Sequence, residues 1–182
     1  MPKTLYHTIR RERYIAASVQ NAPYLCEKNP WLGIGYYFWD SFVELAHWWG
    51  ETHYHGNYLI TEIPYSFKEN EVYDLVGNTD QIKEFANYIE MLERKYNEEV
   101  TVCKAIEHMK KHTNFLKQYK AIRADGRLSI SHYLDINQPY IKRVRFNLDK
   151  EQYLDLLPPL QYCIIHKIDI PNVSLTFPTR QY

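Results

Sequence analysis

The pattern of hydrophobic and polar residues predicts several short strands along the chain. Runs rich in β-branched and aromatic residues, bounded by proline, glycine or asparagine, are typical of strands. Such runs occupy residues 4–9, 36–39, 57–63, 72–75, 142–146, 160–167 and 173–177, and residues 128–133 have weaker strand character. The strands are irregularly spaced, so the regular alternation of a parallel doubly wound sheet is not expected.

Two consecutive helices are predicted in the middle of the chain. The first begins at Asn78 or Thr79 and has apolar residues at three- and four-residue steps, namely Ile82, Phe85, Ala86, Ile89 and Leu92. The second spans about residues 100–119 and has an apolar face of Val102, Ile106, Met109 and Leu116. Together with the strands, these helices predict an α+β fold.

A further helix is predicted directly after the aromatic strand at residues 36–39. Ser41 followed three residues later by Glu44 fits the reciprocal capping box, in which each side chain binds a backbone N–H of the first turn. We therefore expect this helix to run from Ser41 to about Gly50.

Length, composition and charge limit the classes of protein. A chain of 182 residues with 45% hydrophobic residues is expected to form a single domain over residues 1–182, with a helical segment at about 79–119. Its 22 basic residues offset its 22 acidic residues, so no global field favours nonspecific nucleic-acid binding. The lysines at 110, 111, 117 and 120 leave local contact with nucleic acid or an acidic partner open, although such a face is usually only solvated.

Several common chemistries are not indicated. Cys26, Cys103 and Cys163 lack the pair spacing of a zinc site or a disulfide framework, and His53 and His55 lack an evident third metal ligand. The sequence has no Walker phosphate loop, nucleophile elbow or His-Glu-x-x-His helix. Neither a signal peptide nor a membrane span is indicated, so we expect a cytoplasmic protein with no membrane partner.

Three short motifs occur in a definite order. Leu5-Tyr6-His7-Thr8 lies on the first strand, Gly33-x-Gly-x-Tyr-Phe-x-Asp40 precedes a helix, and Gln161 begins a late strand. Taken singly, these histidine and aromatic residues would be ordinary core residues. The ordered set resembles the ADP-ribosyltransferase superfamily, specifically its poly(ADP-ribose)-polymerase and diphtheria-toxin-like branch. It is also similar to bacterial domains of this superfamily in which glutamine takes the third position.

The resemblance implies a split, two-sheet β core that clasps NAD as a substrate in an extended cleft, with the helices at about 79–119 as an insertion. His7 would bind the adenosine-side ribose, Tyr37 would stack on the nicotinamide ring, and Tyr36 would point to the opposite face. Close approach of phosphates and ribose would explain the glycines of the second motif. The implied catalytic residues are His7, Tyr37 and Gln161, and the implied NAD-binding residues are His7, Thr8, Gly33, Gly35, Tyr36 and Tyr37.

Gln161 departs from the polymerase pattern, in which the third residue is usually glutamate. An amide can hydrogen-bond a ribose hydroxyl but cannot stabilise developing positive charge as a carboxylate would. Chain elongation is therefore not expected, and the function predicted is transfer of a single ADP-ribose to a protein or nucleic-acid acceptor. NAD hydrolysis, a noncatalytic NAD- or ADP-ribose-binding module and loss of activity are left open. So are a carboxylate supplied by Glu62 or Glu151, a toxin or defence role, and an antitoxin or other partner protein.

Overall fold

In the computed structural model, residues 3–12, 15–65, 67–126, 142–150, 152–168 and 174–176 are described. Within these ranges the chain forms nine strands and five α-helices. The strands are β1 (Lys3–Arg10), β2 (Tyr36–Asp40), β3 (Tyr58–Tyr65), β4 (Val72–Asp74), β5 (Ala121–Asp125), β6 (Arg143–Arg145), β7 (Tyr153–Asp155), β8 (Leu160–Ile164) and β9 (Ser174–Thr176). The helices are α1 (Ile15–Gln20), α2 (Val43–Tyr54), α3 (Thr79–Tyr96), α4 (Val102–His112) and α5 (Phe115–Gln118).

Seven of the strands form one mixed sheet in the order β4-β5-β8-β2-β1-β3-β9, and β6 and β7 form a separate hairpin. Within the seven-stranded sheet, β4 and β5 are parallel and the other neighbours are antiparallel. The α+β class is therefore confirmed. The core strands belong to one hydrogen-bonded sheet in the described residues, whereas the resemblance implies two clasping sheets.

The sheet is nevertheless opened between β1 and β2. β1 pairs with β3 along all eight of its residues, from Lys3 to Arg10, but pairs with β2 only at Leu5 and Tyr6. Beyond Tyr6 the two strands diverge, and Cys26 from the preceding loop pairs with Gly35 beside the start of β2. The divergence leaves backbone groups of β2 without a β1 partner, and loop and side-chain groups take that place.

The two faces of the sheet are covered differently. Helices α3 and α4 pack over β4, β5 and β8 through buried Phe85, Leu92, Ile106 and Met109. Helix α2 packs over the same face further along, against Trp39, Tyr58 and Ile60. The opposite face carries a second core of Leu5, Phe38, Ile63, Tyr162 and Ile164, and α1 covers its end through Ile15 and Val19. The part of the face between α2 and α4 is covered by the loop that precedes β2.

The predicted strands agree with the structure apart from their ends, but three helical predictions are wrong. Ser41 does not cap α2, because it has a left-handed backbone (φ 67°) and its hydroxyl donates to Asp40 Oδ1. Helix α2 also continues past Gly50 to Tyr54. The helix predicted at 100–119 is two helices, since Thr113 leaves the helical conformation after α4. The sequence also missed α1, β5 and β7, and the weak strand at 128–133 lies outside the described residues.

A charged cluster joins four strands on the face opposite α2, α3 and α4. The Asp40 carboxylate, almost fully buried, accepts from Arg123 Nε at 3.0 Å, from Lys3 Nζ at 3.4 Å and from the Ser41 hydroxyl at 2.7 Å. Arg123 Nη1 also reaches the two Asp74 carboxylate oxygens at 3.3 and 3.4 Å. Arg123 thus neutralises two carboxylates and ties β5 to β2 and β4.

Arg123→Met should lower the free energy of unfolding by about 3 kcal/mol, because it leaves the buried Asp40 charge with Lys3 as its one cationic partner among the described residues. Urea denaturation at pH 7 measures the change. The matched control is Arg94→Met, whose pair with Glu90 is 3.1 Å long but 81% and 61% exposed. This control should cost less than about 1 kcal/mol. Equal losses in the two variants would contradict a stabilising role for the cluster.

Candidate functional site

His7, Tyr37 and Gln161 lie on three consecutive strands of the sheet, β1, β2 and β8, although they are far apart in the chain. In the β2–β8 register Tyr37 is opposite Cys163, and Trp39 is opposite Gln161. His7 follows directly after the last β1–β2 pair, where the two strands begin to diverge. His7 and Tyr37 therefore border the opening between β1 and β2, and Gln161 lies one strand further along the sheet, on β8.

They do not share one face of the sheet. Side chains alternate along a strand and directly opposite residues share a face. Tyr37 packs with Cys163 in the core beneath α3 and α4, and Gln161 lies two residues from Cys163 on that same face. The His7 ring lies beside Phe38, at 5.1 Å between ring centroids, on the opposite side. Tyr36 also packs on that opposite side, as predicted.

The His7 imidazole bridges the opening. Its Nδ1 lies 2.7 Å from the Tyr37 carbonyl oxygen, and its Nε2 lies 3.1 Å from the Tyr24 backbone nitrogen. A carbonyl can only accept and a backbone N–H can only donate, so the ring is neutral with its proton on Nδ1. Burial lowers the His7 pKa to about 4. Both ring nitrogens are engaged, so a ribose hydroxyl could bind Nε2 only in place of Tyr24.

Tyr37 is fixed through its hydroxyl. The Leu32 backbone N–H donates to this oxygen at 2.8 Å, and the hydroxyl donates to the Gly33 carbonyl at 2.9 Å. Burial raises the Tyr37 pKa well above its ordinary value, so the phenol remains protonated. The ring is thereby held in a fixed orientation by the loop that enters β2.

Gln161 is held by a residue that the sequence did not indicate. The Trp31 indole Nε1–H donates to Gln161 Oε1 at 3.0 Å, and the Trp31 ring lies 6.4 Å from the Tyr37 ring. The indole N–H is a donor only, so it requires the carbonyl oxygen of the Gln161 amide on its side. This contact uses one of the two lone pairs of Oε1 and none of the amide hydrogens. Trp31 follows Pro30 in a stretch with only loop signals, and no spacing pattern connects it with Gln161.

Tyr24 and Trp31 belong to the same loop segment. We call residues Tyr24–Trp31 the strap. It contacts His7 at one end and Gln161 at the other, and Cys26 in its middle pairs with Gly35. The strap therefore covers His7 and Gln161. Leu32 and Gly33, which follow it directly, bind the Tyr37 hydroxyl.

The remaining predicted binding residues contact the protein itself. The Thr8 hydroxyl donates to the Ala46 carbonyl of α2 at 2.8 Å and is buried. A Cβ atom at Gly33, where φ is 87°, would lie 2.5 Å from Glu107 Oε1, and one at Gly35 would lie 2.5 Å from Cys163 Sγ. Close packing against α4 and β8 thus accounts for both glycines, whereas the resemblance attributed them to close approach of NAD.

Glu62, one of the two alternative carboxylates, does not lie beside Gln161. Glu62 is aligned with Tyr6 across β1 and β3, and Tyr6 is aligned with Trp39 and then Gln161. Three strand spacings separate Glu62 from Gln161, a distance of about 14 Å. Glu151 lies outside the described residues. Among the described residues of the row Glu62–Tyr6–Trp39–Gln161, no carboxylate is adjacent to Gln161.

Helix α4 fixes the chain just after the strap. Glu107 Oε1 accepts from the Ile34 N–H at 2.8 Å, and Lys110 Nζ donates to the Ile34 carbonyl at 2.9 Å. Lys110 is buried by these contacts, and Lys120 is paired with Glu71. Two of the four lysines proposed for nucleic-acid contact therefore have structural partners, which weakens that hypothesis.

Comparison of the chain with protein-family models, with curated proteins and with solved structures finds no match. Among the described residues, no group of three or more His, Cys, Asp or Glu side chains is arranged to hold a metal ion. In the same part of the chain, every helix is too short or too polar to cross a membrane. The site is therefore interpreted from its own geometry.

The depressed His7 pKa predicts a specific loss of stability in acid. Above pH 6.5 the ring is neutral in both the folded and the unfolded chain, so it has no effect there. Between pH 6.5 and about 4 the unfolded chain binds a proton that the folded chain excludes, which lowers the free energy of unfolding by about 3 kcal/mol in total. Urea denaturation at pH 7, 5 and 4 should show this loss in the wild type relative to His7→Gln. The exposed control His112→Gln should keep the wild-type pH dependence, and identical curves for wild type and His7→Gln would refute the buried neutral ring.

Proposed function

We propose that the protein is an NAD-dependent ADP-ribosyltransferase that transfers a single ADP-ribose to a protein or nucleic-acid acceptor. The observation that supports this most is the placement of His7, Tyr37 and Gln161 on consecutive strands around the β1–β2 opening. The ordered motifs of the sequence supply the prediction of an NAD cleft, and the opening is a place in the fold where such a cleft can form. The acceptor is not identified by these residues.

In the proposed reaction, the bond between the nicotinamide nitrogen and the ribose C1′ breaks and nicotinamide leaves with the bonding electron pair. The acceptor nucleophile forms the new bond to C1′ and releases its proton to solvent. Tyr37 offers the flat, oriented ring against which nicotinamide stacks. His7, neutral at pH 7, offers a hydrogen-bond acceptor to an adenosine-side ribose hydroxyl once Tyr24 has left Nε2. Gln161 contributes hydrogen bonding but no negative charge.

A noncatalytic module that binds NAD or ADP-ribose is the second candidate, and the identity of residue 161 favours it. The Gln161 side chain is a neutral amide, which can hydrogen-bond a ribose hydroxyl but carries no negative charge. Preorganised negative charge or acceptors would stabilise the positive charge that develops on the ribose when nicotinamide leaves. A neutral amide therefore suits retention of the ligand better than its cleavage.

Nicotinamide release from labelled NAD, followed in the presence of a cell extract, tests the transferase. His7→Ala and Tyr37→Ala should each reduce release and acceptor labelling at least about tenfold, because each removes a side chain aligned with the ligand. His112→Ala and Tyr96→Ala, on exposed parts of the helices, are the matched controls and should retain the wild-type rate. A wild-type protein that neither binds NAD nor releases nicotinamide would overturn both candidate functions.

Gln161→Glu separates the two candidates. A glutamate can still accept the Trp31 N–H with one oxygen while presenting the other to the ligand, so the fold should be retained. If the wild type is a binding module, the variant should release nicotinamide about 100-fold faster, the size of effect seen for a single electrostatic group. Calorimetry provides NAD affinity for both proteins. Rapid turnover by the wild type, with no gain in the variant, would favour the transferase and exclude the module.

A further inference from the structure

The strap has the properties of a segment that can leave the protein surface at low cost. It lies between buried residues, Ala22 and Pro23 on one side and Leu32 on the other, but none of its own residues is buried. Tyr24, Leu25 and Trp31 are 41%, 44% and 37% exposed. Segments with few buried apolar contacts are the ones that open locally while the rest of a protein stays folded.

The boundary of such an opening is set by the contacts that follow the strap. Leu32 is fully buried, its N–H binds the Tyr37 hydroxyl, and Ile34 is held by Glu107 and Lys110 of α4. These contacts do not involve strap residues. Once the backbone hydrogen bonds between Cys26 and Gly35 break, the strap can therefore move away from the sheet while Tyr37 and α4 keep their positions.

The contacts that the strap makes are the ones a ligand of the proposed site would need. The Tyr24 N–H occupies His7 Nε2, and the Trp31 N–H occupies Gln161 Oε1. His7 and Gln161 are each only 7% exposed in this arrangement. A ligand cannot reach either polar side chain unless the strap is displaced.

The Trp31 indole lies beside the Tyr37 ring. Its ring centroid is 6.4 Å from that of Tyr37, and the two planes are tilted by 37°. A third ring stacked between them would require about 7 Å, with roughly 3.5 Å on each side, and nearly parallel planes. No ring fits between Trp31 and Tyr37 as they stand, so the indole itself is the aromatic partner of Tyr37.

We propose that the strap is a built-in competitor of the ligand, with Trp31 occupying the position of the ligand's planar ring and Tyr24 that of its ribose hydroxyl. This inference rests on the proposed function, because it takes as the ligand NAD, whose planar ring is nicotinamide, or ADP-ribose, which lacks that ring but would still need the His7 and Gln161 contacts. The closed strap reduces the fraction of molecules that can bind, and the apparent affinity falls in proportion to that fraction. Removing the Trp31 contacts should therefore tighten binding.

Calorimetry with NAD and with ADP-ribose tests the competition in three variants. Trp31→Ala should bind both ligands at least about fivefold more tightly, since loss of one typical hydrogen bond shifts an equilibrium by that factor. Trp31→Phe keeps a ring beside Tyr37 but loses the N–H, so it should show a smaller gain. Leu25→Ala changes an exposed strap residue and should leave the affinity unchanged. Weaker binding by Trp31→Ala would show that Trp31 packs on the ligand, and would overturn the proposal.

Hydrogen exchange gives a readout that affinity alone does not. Addition of ADP-ribose to the wild type should accelerate amide exchange in Tyr24–Trp31 while Leu32 stays protected, because the ligand displaces the strap and not its anchor. Protection of the strap by ADP-ribose would overturn the proposal even if affinities changed. The affinities also distinguish failure of the proposed function from failure of the strap proposal. If neither the wild type nor Trp31→Ala binds NAD or ADP-ribose, both proposals are rejected. If the two proteins bind equally well, only the proposal that the strap competes with the ligand is rejected.

Discussion

The hydrogen bonds of the His7 ring are the constraint on which the site depends. Where β1 and β2 separate, the sheet loses its ladder, and the backbone groups along the opening need other partners. The Nδ1–H of His7 replaces the ladder on the β2 side by binding the Tyr37 carbonyl, and Nε2 fixes the Tyr24 N–H of the strap. One buried neutral ring therefore sets the width of the opening and holds the loop that fills it. A protonated ring could make the first of these bonds but not the second.

The helical segment at 79–119 contributes to this arrangement from the other side. Helix α4 contacts the loop through Glu107 and Lys110, which bind both backbone groups of Ile34. Gly33 is glycine because any Cβ there would collide with the same helix. The segment that was expected to be an insertion thus anchors the chain entering β2. The apolar faces of α3 and α4 also supply much of the core against which Tyr37 packs.

The sequence predicted well where local pattern decides structure. The first and second strands, the late strand at 160–167 and the helix beginning at Asn78 all follow from periodicity and capping chemistry, and Asn78 does bind the Asp80 and Gln81 N–H groups. The prediction that Ser41 caps α2 failed, because Ser41 has a left-handed backbone and its hydroxyl donates to the Asp40 carboxylate. It also could not indicate the strap. The contact between Trp31 and Gln161 joins residues 130 positions apart, and neither residue type carries a local signal for the other.

The two open questions about the site, whether the ligand has access and whether it is cleaved, depend on the same hydrogen bond. While Trp31 donates to Gln161, the amide is held by the strap and one lone pair of its oxygen is used. When the strap leaves, the amide is free to turn, and its oxygen can accept from a ribose hydroxyl. The closed protein is then unsuited to cleavage both because the ligand is excluded and because Gln161 is held by Trp31. Displacement of the strap would change both properties together, so a partner that bound the open strap would control affinity and chemistry through a single contact.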